Sequence, residues 1–77
     1  MITEQEMNAI YAGKCPDCGG PITEGPHGGA AVNMLCYSCG SRFNILDPDC
    51  GFRVTGMCDR LDKLSASEIE QYRKLYP

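Results

Sequence analysis

The chain has 77 residues, six cysteines, and ten acidic against seven basic side chains, for a formal net charge of −3. A chain of this length makes one domain at most and buries too little apolar surface for a comfortable stability margin, so a staple such as a metal is expected. The scattered basic residues exclude the dense basic stripe of a nucleic-acid binder, and no apolar run approaches the roughly twenty residues that span a bilayer.

The first residues, Met1 through Glu6, are acidic and polar where a signal peptide would be basic and then apolar. That reading places the chain in the cytoplasm, where thiols stay reduced. The same residues carry a helix-start signature: Thr3 as N-cap, Glu6 three positions later as its reciprocal partner, and Ile2 placed to pack on Met7. The spacing predicts a helix over 4–12, with Met7, Ile10 and Tyr11 on one face turned toward the rest of the domain and Gly13 as the stop.

Two near-copies of one short motif come next, Cys15-Pro16-Asp17-Cys18-Gly19-Gly20 and Cys36-Tyr37-Ser38-Cys39-Gly40. Two residues separate the cysteines within each pair and seventeen separate the pairs, inside the spacing range of a four-cysteine zinc site. A two-residue gap lets one tight turn aim two sulfurs at a single point, and two such turns complete a tetrahedral shell. Gly19 and Gly40 fall where the chain bends with positive φ, and Pro16 suits the entry to such a turn. Lys14 and Arg42 flank the pairs and would offset negative charge, which four metal-bound thiolates and one divalent ion would take to about −5. A redox Cys-x-x-Cys expects a helix to open after it, whereas Gly19-Gly20-Pro21 follows here. Structural disulfides and dithiol chemistry are the competing readings, and iron is open beside zinc because the ligand type does not separate the two metals.

Between the pairs, Pro21-Ile22-Thr23 and Val32-Asn33-Met34-Leu35 read as short strands joined by a Gly/Pro-rich loop from Glu24 to Ala31. His27 is expected as an exposed residue of that loop, since four cysteines already fill the shell. Residues 41–46 predict a third strand with Phe43 and Ile45 on one face, ended by Asp47-Pro48-Asp49. Residues 51–55 predict a fourth, closed by Gly56. Cys50 and Cys58 bracket it at a spacing that matches no zinc knuckle; they read as buried or free thiols, against a second metal site or a redox pair. Asp59, Arg60, Asp62 and Lys63 read as a solvated mixed-charge connector. Ser65, Glu68 and the pair Leu64 and Ile69 repeat the helix-start signature, predicting a helix over 66–75 with a stripe of Ile69, Tyr72, Leu75 and Tyr76.

From Lys14 to Leu46 the chain resembles the zinc-ribbon superfamily. It is also similar to short, uncharacterised bacterial and phage ribbon proteins in its Gly25-Pro26-His27-Gly28-Gly29 stretch, in Asn33 before the third cysteine, and in Phe43-Asn44 after the fourth. The resemblance implies two knuckles at one end of a small antiparallel sheet. It says little about function, because ribbons serve many roles.

The fold class expected is thus a small α+β metal-stabilised domain over 1–77, a four-cysteine zinc ribbon over 14–55 with a three- to four-stranded antiparallel sheet between two helices. One structural Zn2+ on Cys15, Cys18, Cys36 and Cys39 leaves no open position for substrate or activated water, so no enzyme is expected. A small adaptor or regulatory protein working by protein–protein contact is the first functional reading. A nucleic-acid-binding ribbon in transcription or replication is the alternative, opposed by charge, and a rubredoxin-like iron electron carrier is the third.

Overall fold

The structure, a computed structural model, describes residues 2–46 and 58–77. It is a small α+β arrangement with helix α1 (Glu4–Tyr11), strands β1 (Thr23–Gly28), β2 (Ala31–Leu35), β3 (Arg42–Leu46) and β4 (Asp59–Leu61), and helix α2 (Ala66–Leu75). The four strands form one antiparallel sheet in the order β1-β2-β3-β4.

Helix α1 starts as its sequence predicts. The Thr3 hydroxyl accepts from the Glu6 amide at 3.1 Å, and the Glu6 carboxylate accepts from the Thr3 amide at 2.9 Å, so two donors that the first turn leaves without partners are satisfied reciprocally. Ile2 and Met7 lie in the same buried cluster, as a hydrophobic staple requires. The helix closes one residue before the predicted end, with Ala12 as C-cap. The Lys14 amide reaches back to the Ala9 carbonyl and the Gly13 amide to that of Ile10, the paired bonds of a Schellman motif.

Met7 and Ile10 are 1% and 2% exposed. They cover the sheet face on which strand alternation places Val32, Met34, Phe43 and Ile45, and all six share one core with Ile2 and Cys58. Register aligns these residues in pairs, Val32 opposite Ile45 and Met34 opposite Phe43. The Tyr11 hydroxyl donates to the Leu46 carbonyl at 3.0 Å and ties the end of α1 to the end of β3.

Three segments depart from the sequence expectation. Pro21 and Ile22, read as strand with Thr23, precede β1, and Pro21 makes only an isolated bridge to Lys14. The stretch from Glu24 to Gly28, read as loop, is most of β1, and only Gly29 and Ala30 form the turn to β2. Its glycine and proline serve an edge strand: the register shifts between Glu24 and His27, and such a bulge accommodates Pro26. Gly25 is there because a Cβ would stand 2.7 Å from Leu35 Cδ1 and 3.1 Å from the Asn33 carbonyl oxygen. Asp59 and Arg60, read as part of a connector, belong to β4, which pairs with β3 through Arg42 and Leu61, Phe43 and Arg60, and Asn44 and Asp59. The strand predicted over 51–55 and Cys50 lie outside the described residues.

Helix α2 spans 66–75 as expected and repeats the capping box through Ser65 and Glu68. It buries none of its own side chains: Ile69, Tyr72 and Tyr76 beyond it are half-buried, and Leu75 is 70% exposed. Among the described residues no helix is long and apolar enough to cross a membrane.

Candidate metal centre

The first knuckle occupies the turn between α1 and β1, and the second the turn between β2 and β3. Register places both at one end of the sheet, where Thr23, Leu35, Arg42 and Leu61 are successive cross-strand partners. Each knuckle closes with the same two backbone bonds. Gly19 N donates to the Cys15 carbonyl and Cys15 N to that of Gly20; Gly40 N donates to the Cys36 carbonyl and Cys36 N to that of Ser41. The glycine after each second cysteine has positive φ, +75° at Gly19 and +82° at Gly40, where any other L-residue is strained. Gly40 meets a second demand: a Cβ there would lie 3.0 Å from the Leu64 carbonyl oxygen.

These turns bring the thiols of Cys15, Cys18, Cys36 and Cys39 together, with all four sulfurs within 4.8 Å of one another. The Sγ atoms of Cys15 and Cys39 are 3.7 Å apart and those of Cys18 and Cys36 3.5 Å. A tetrahedron with bonds of about 2.3 Å has edges of about 3.8 Å, close to both of these separations, so the cluster has the dimensions to hold one metal ion. Backbone amides already face the sulfurs of the first knuckle: Asp17 N donates to Cys15 Sγ and Gly20 N to Cys18 Sγ, each at 3.4 Å. The donor set, four soft thiols with amides turned toward them, suits zinc or iron. The four cysteines at one end of a small antiparallel sheet fit a zinc-ribbon-like fold.

Burial divides the set. Cys15 and Cys36 are buried, Cys39 half-buried and Cys18 exposed. Burial pushes the Cys15 thiol up and the Cys36 thiol up to about 12, while the Ser41 hydroxyl 3.2 Å from Cys39 pulls that thiol down to about 6. The hydroxyl has one proton: it goes to the Asp17 carboxylate while the Cys39 thiol donates to the hydroxyl oxygen, and a deprotonated Cys39 would compete with Asp17 for that proton. A divalent ion would draw the proton from every coordinating thiol, so binding would release protons to solvent.

Of the other residues singled out from sequence, His27 is exposed on β1, toward the opposite end of the sheet, and lies outside the cluster. Cys58 is fully buried in the core beneath α1, and its carbonyl accepts from the Ile2 amide. Arg42 donates through Nε to the Asp62 carbonyl. The charged partner of the first knuckle is instead Arg60, whose guanidinium pairs with Asp17 and Glu6. Three residues that sequence reasoning left without a role, Tyr37, Ser41 and Arg60, thus contact the knuckles or what holds them. No family model, curated protein or solved structure matches the chain.

Proposed function

We propose that the chain is a zinc-binding small protein of the zinc-ribbon kind that performs no catalysis and acts in the cytoplasm as an adaptor or regulator through contact with another protein. The observation that carries the metal part is the gathering of the four thiols, all within 4.8 Å of one another and with two of their separations, 3.7 and 3.5 Å, close to the edge of a tetrahedral shell. Four thiolates on one zinc saturate it and leave no position for substrate or water, so the ion would act as a staple. Contact as the mode of action is supported by α2, whose apolar stripe is partly exposed and ends in Leu75.

The nucleic-acid alternative is weaker on two counts. The chain is acidic, and two of its arginines are engaged, Arg60 with Glu6 and Asp17 and Arg42 with the Asp62 carbonyl. Neutralising phosphates needs several free cations on one face.

Elemental analysis of protein purified without added metal tests the first part, with one zinc per chain expected and iron as the result that would favour electron transfer. Cys36→Ser should lose the ion and unfold, because structural zinc sites supply much of the folding free energy of small domains; a folded, metal-free C36S protein overturns the assignment. Co-purification of the same partner with the metal-loaded chain and not with the chelated one supports contact. Steeply salt-dependent DNA binding would favour the alternative.

A further inference from the structure

Arg60 stands on the edge strand β4, far along the chain from both knuckles, with its guanidinium carbon 4.8 Å from the centroid of the Phe43 ring. Phe43 is its cross-strand partner and is fully buried, so the side chain has a fixed seat. From that seat the guanidinium forks onto Asp17, Nη1 to Oδ2 at 2.5 Å and Nη2 to Oδ1 at 3.0 Å, while Nη2 also reaches Glu6 Oε2 at 2.5 Å. Asp17 Oδ2 in turn accepts from the Ser41 hydroxyl, whose oxygen lies 3.2 Å from Cys39 Sγ. The Asp17 amide donates to Cys15 Sγ. Asp17 therefore touches both sulfurs of the Cys15 and Cys39 edge, one through its backbone and the other through Ser41, and so links the two knuckles.

We infer that Arg60 is a positioning residue for the metal, acting through Asp17 and Ser41 to hold the Cys15 and Cys39 sulfurs at coordination distance. This rests on the metal reading above. A planar fork fixes the orientation of a carboxylate, which a single ammonium does not. The Arg60 side chain is 41% exposed, so solvent screens its ion pairs and their direct effect on fold stability is small. What the fork controls is the aim of Asp17. Ser41 is 1% exposed, and its hydroxyl faces two groups only among those described, the carboxylate and the sulfur. Disturbing the one disturbs the other. Outer partners of metal ligands commonly alter affinity ten- to a hundredfold when removed.

The test is competition for zinc against a chromophoric chelator at fixed pH and salt, after the metal content of the unaltered chain has been measured. Arg60→Met keeps a stem over Phe43 and removes the fork. R60M and S41A should each weaken zinc binding on the order of tenfold or more, and the double variant should be no more than about threefold weaker than the worse single one, since both act through one chain of contacts. E6Q, which disturbs the arm to α1 and its Thr3 cap but leaves the fork on Asp17, should stay within about twofold of the unaltered chain. In cobalt-loaded protein the thiolate-to-metal absorption should shift in R60M and S41A alike and not in E6Q. Zinc affinity of R60M within about twofold of the unaltered chain overturns the inference, as do losses that multiply in the double variant. Asp17→Asn provides a second break in the chain, and zinc-saturated R60M and D17N that both fail to fold would also overturn it by placing the effect in the fold. An unaltered chain that binds neither zinc nor cobalt refutes the metal reading itself, a separate result.

Discussion

The hydroxyl of Tyr37, between the two cysteines of the second knuckle, lies 3.1 Å from the carbonyl oxygen of Tyr72 in α2. It also lies 2.5 Å from the carbonyl oxygen of Tyr76, the C-cap of that helix. The Tyr72 carbonyl already accepts from the Tyr76 amide at 2.7 Å, whereas the Tyr76 carbonyl is one of those a helix end leaves without a partner inside the helix, and here the knuckle provides its donor. The Arg73 guanidinium stands 5.9 Å from the centroid of the Tyr37 ring, and at the other end of α2 the Leu64 amide donates to the Gly40 carbonyl. A ten-residue helix that buries no side chain is marginal alone, so its position depends on the knuckle.

Tyr37→Phe should therefore loosen α2 while leaving the metal in place. The lost bond is partly buried and should cost about 0.5–1.5 kcal/mol. Hydrogen exchange checks this: amides in the last turn of α2 should exchange faster in Y37F, with β2 and β3 unchanged. Unchanged exchange in α2 would show that the ring, which Y37F keeps, and not its hydroxyl connects the two parts.

How much of this is legible in the sequence depends on how local the cause is. Both capping boxes, the knuckles and the alternation of β2 and β3 are written in residues a few positions apart, and each stands in the structure where those residues place it. The segment around Gly25-Pro26 misleads because glycine and proline signal a turn by composition, whereas here they answer to Leu35 on the neighbouring strand and to a bulge. β4 is three residues long with only Leu61 half-buried, so it offers no alternating pattern to find. Arg60 meets Asp17 across 43 positions and Glu6 across 54. Only the folded sheet brings them together.

Gly25→Ala should destabilise the fold for a steric reason. The added methyl would stand 2.7 Å from Leu35 Cδ1, on a fully buried side chain, and 3.1 Å from the Asn33 carbonyl oxygen, so side chain and neighbouring backbone must both give way. Overpacking of this kind costs about 1–3 kcal/mol. In a domain of this size each kcal/mol lowers the melting temperature by about 4–8 °C. Thermal unfolding of the zinc-saturated variant measures it, and an unchanged midpoint would mean that β1 moves off β2 without cost.

The pH dependence of stability should include a contribution from Glu6. Its carboxyl is held below the ordinary range, first by the Thr3 amide and then by Arg60. A depressed folded value means that the charged form stabilises the fold above the unfolded value of about 4.3, and that this contribution disappears as pH falls through the folded value. Glu6→Gln removes the titration. The unaltered chain should be the more stable at pH 7, and its advantage over E6Q should close as the pH is lowered below about 4. A difference that stayed constant over that range would assign the effect of the substitution to the shape of the cap.

Leu75, Tyr72 and Tyr76 distinguish an interaction surface from a core. A ring in a core costs about 3–5 kcal/mol when reduced to Ala. Tyr72 and Tyr76 are only half-buried, with ring centroids 6.1 Å apart in a stacked pair, so each should cost clearly less. Leu75 is 70% exposed, and Leu75→Asp should change stability by no more than about 0.5 kcal/mol. Aromatic side chains on such a face bury large area with few rotatable bonds, which is why tyrosines recur at the centres of interfaces. If α2 is the contact surface, L75D and Y72A should keep the metal and the fold and lose the partner that co-purifies with the unaltered chain. Melting temperature, zinc content and co-purification measured on the same preparations separate the cases. Loss of the fold in Y72A would return the ring to a core role, and full retention of the partner by both variants would move the contact surface off α2.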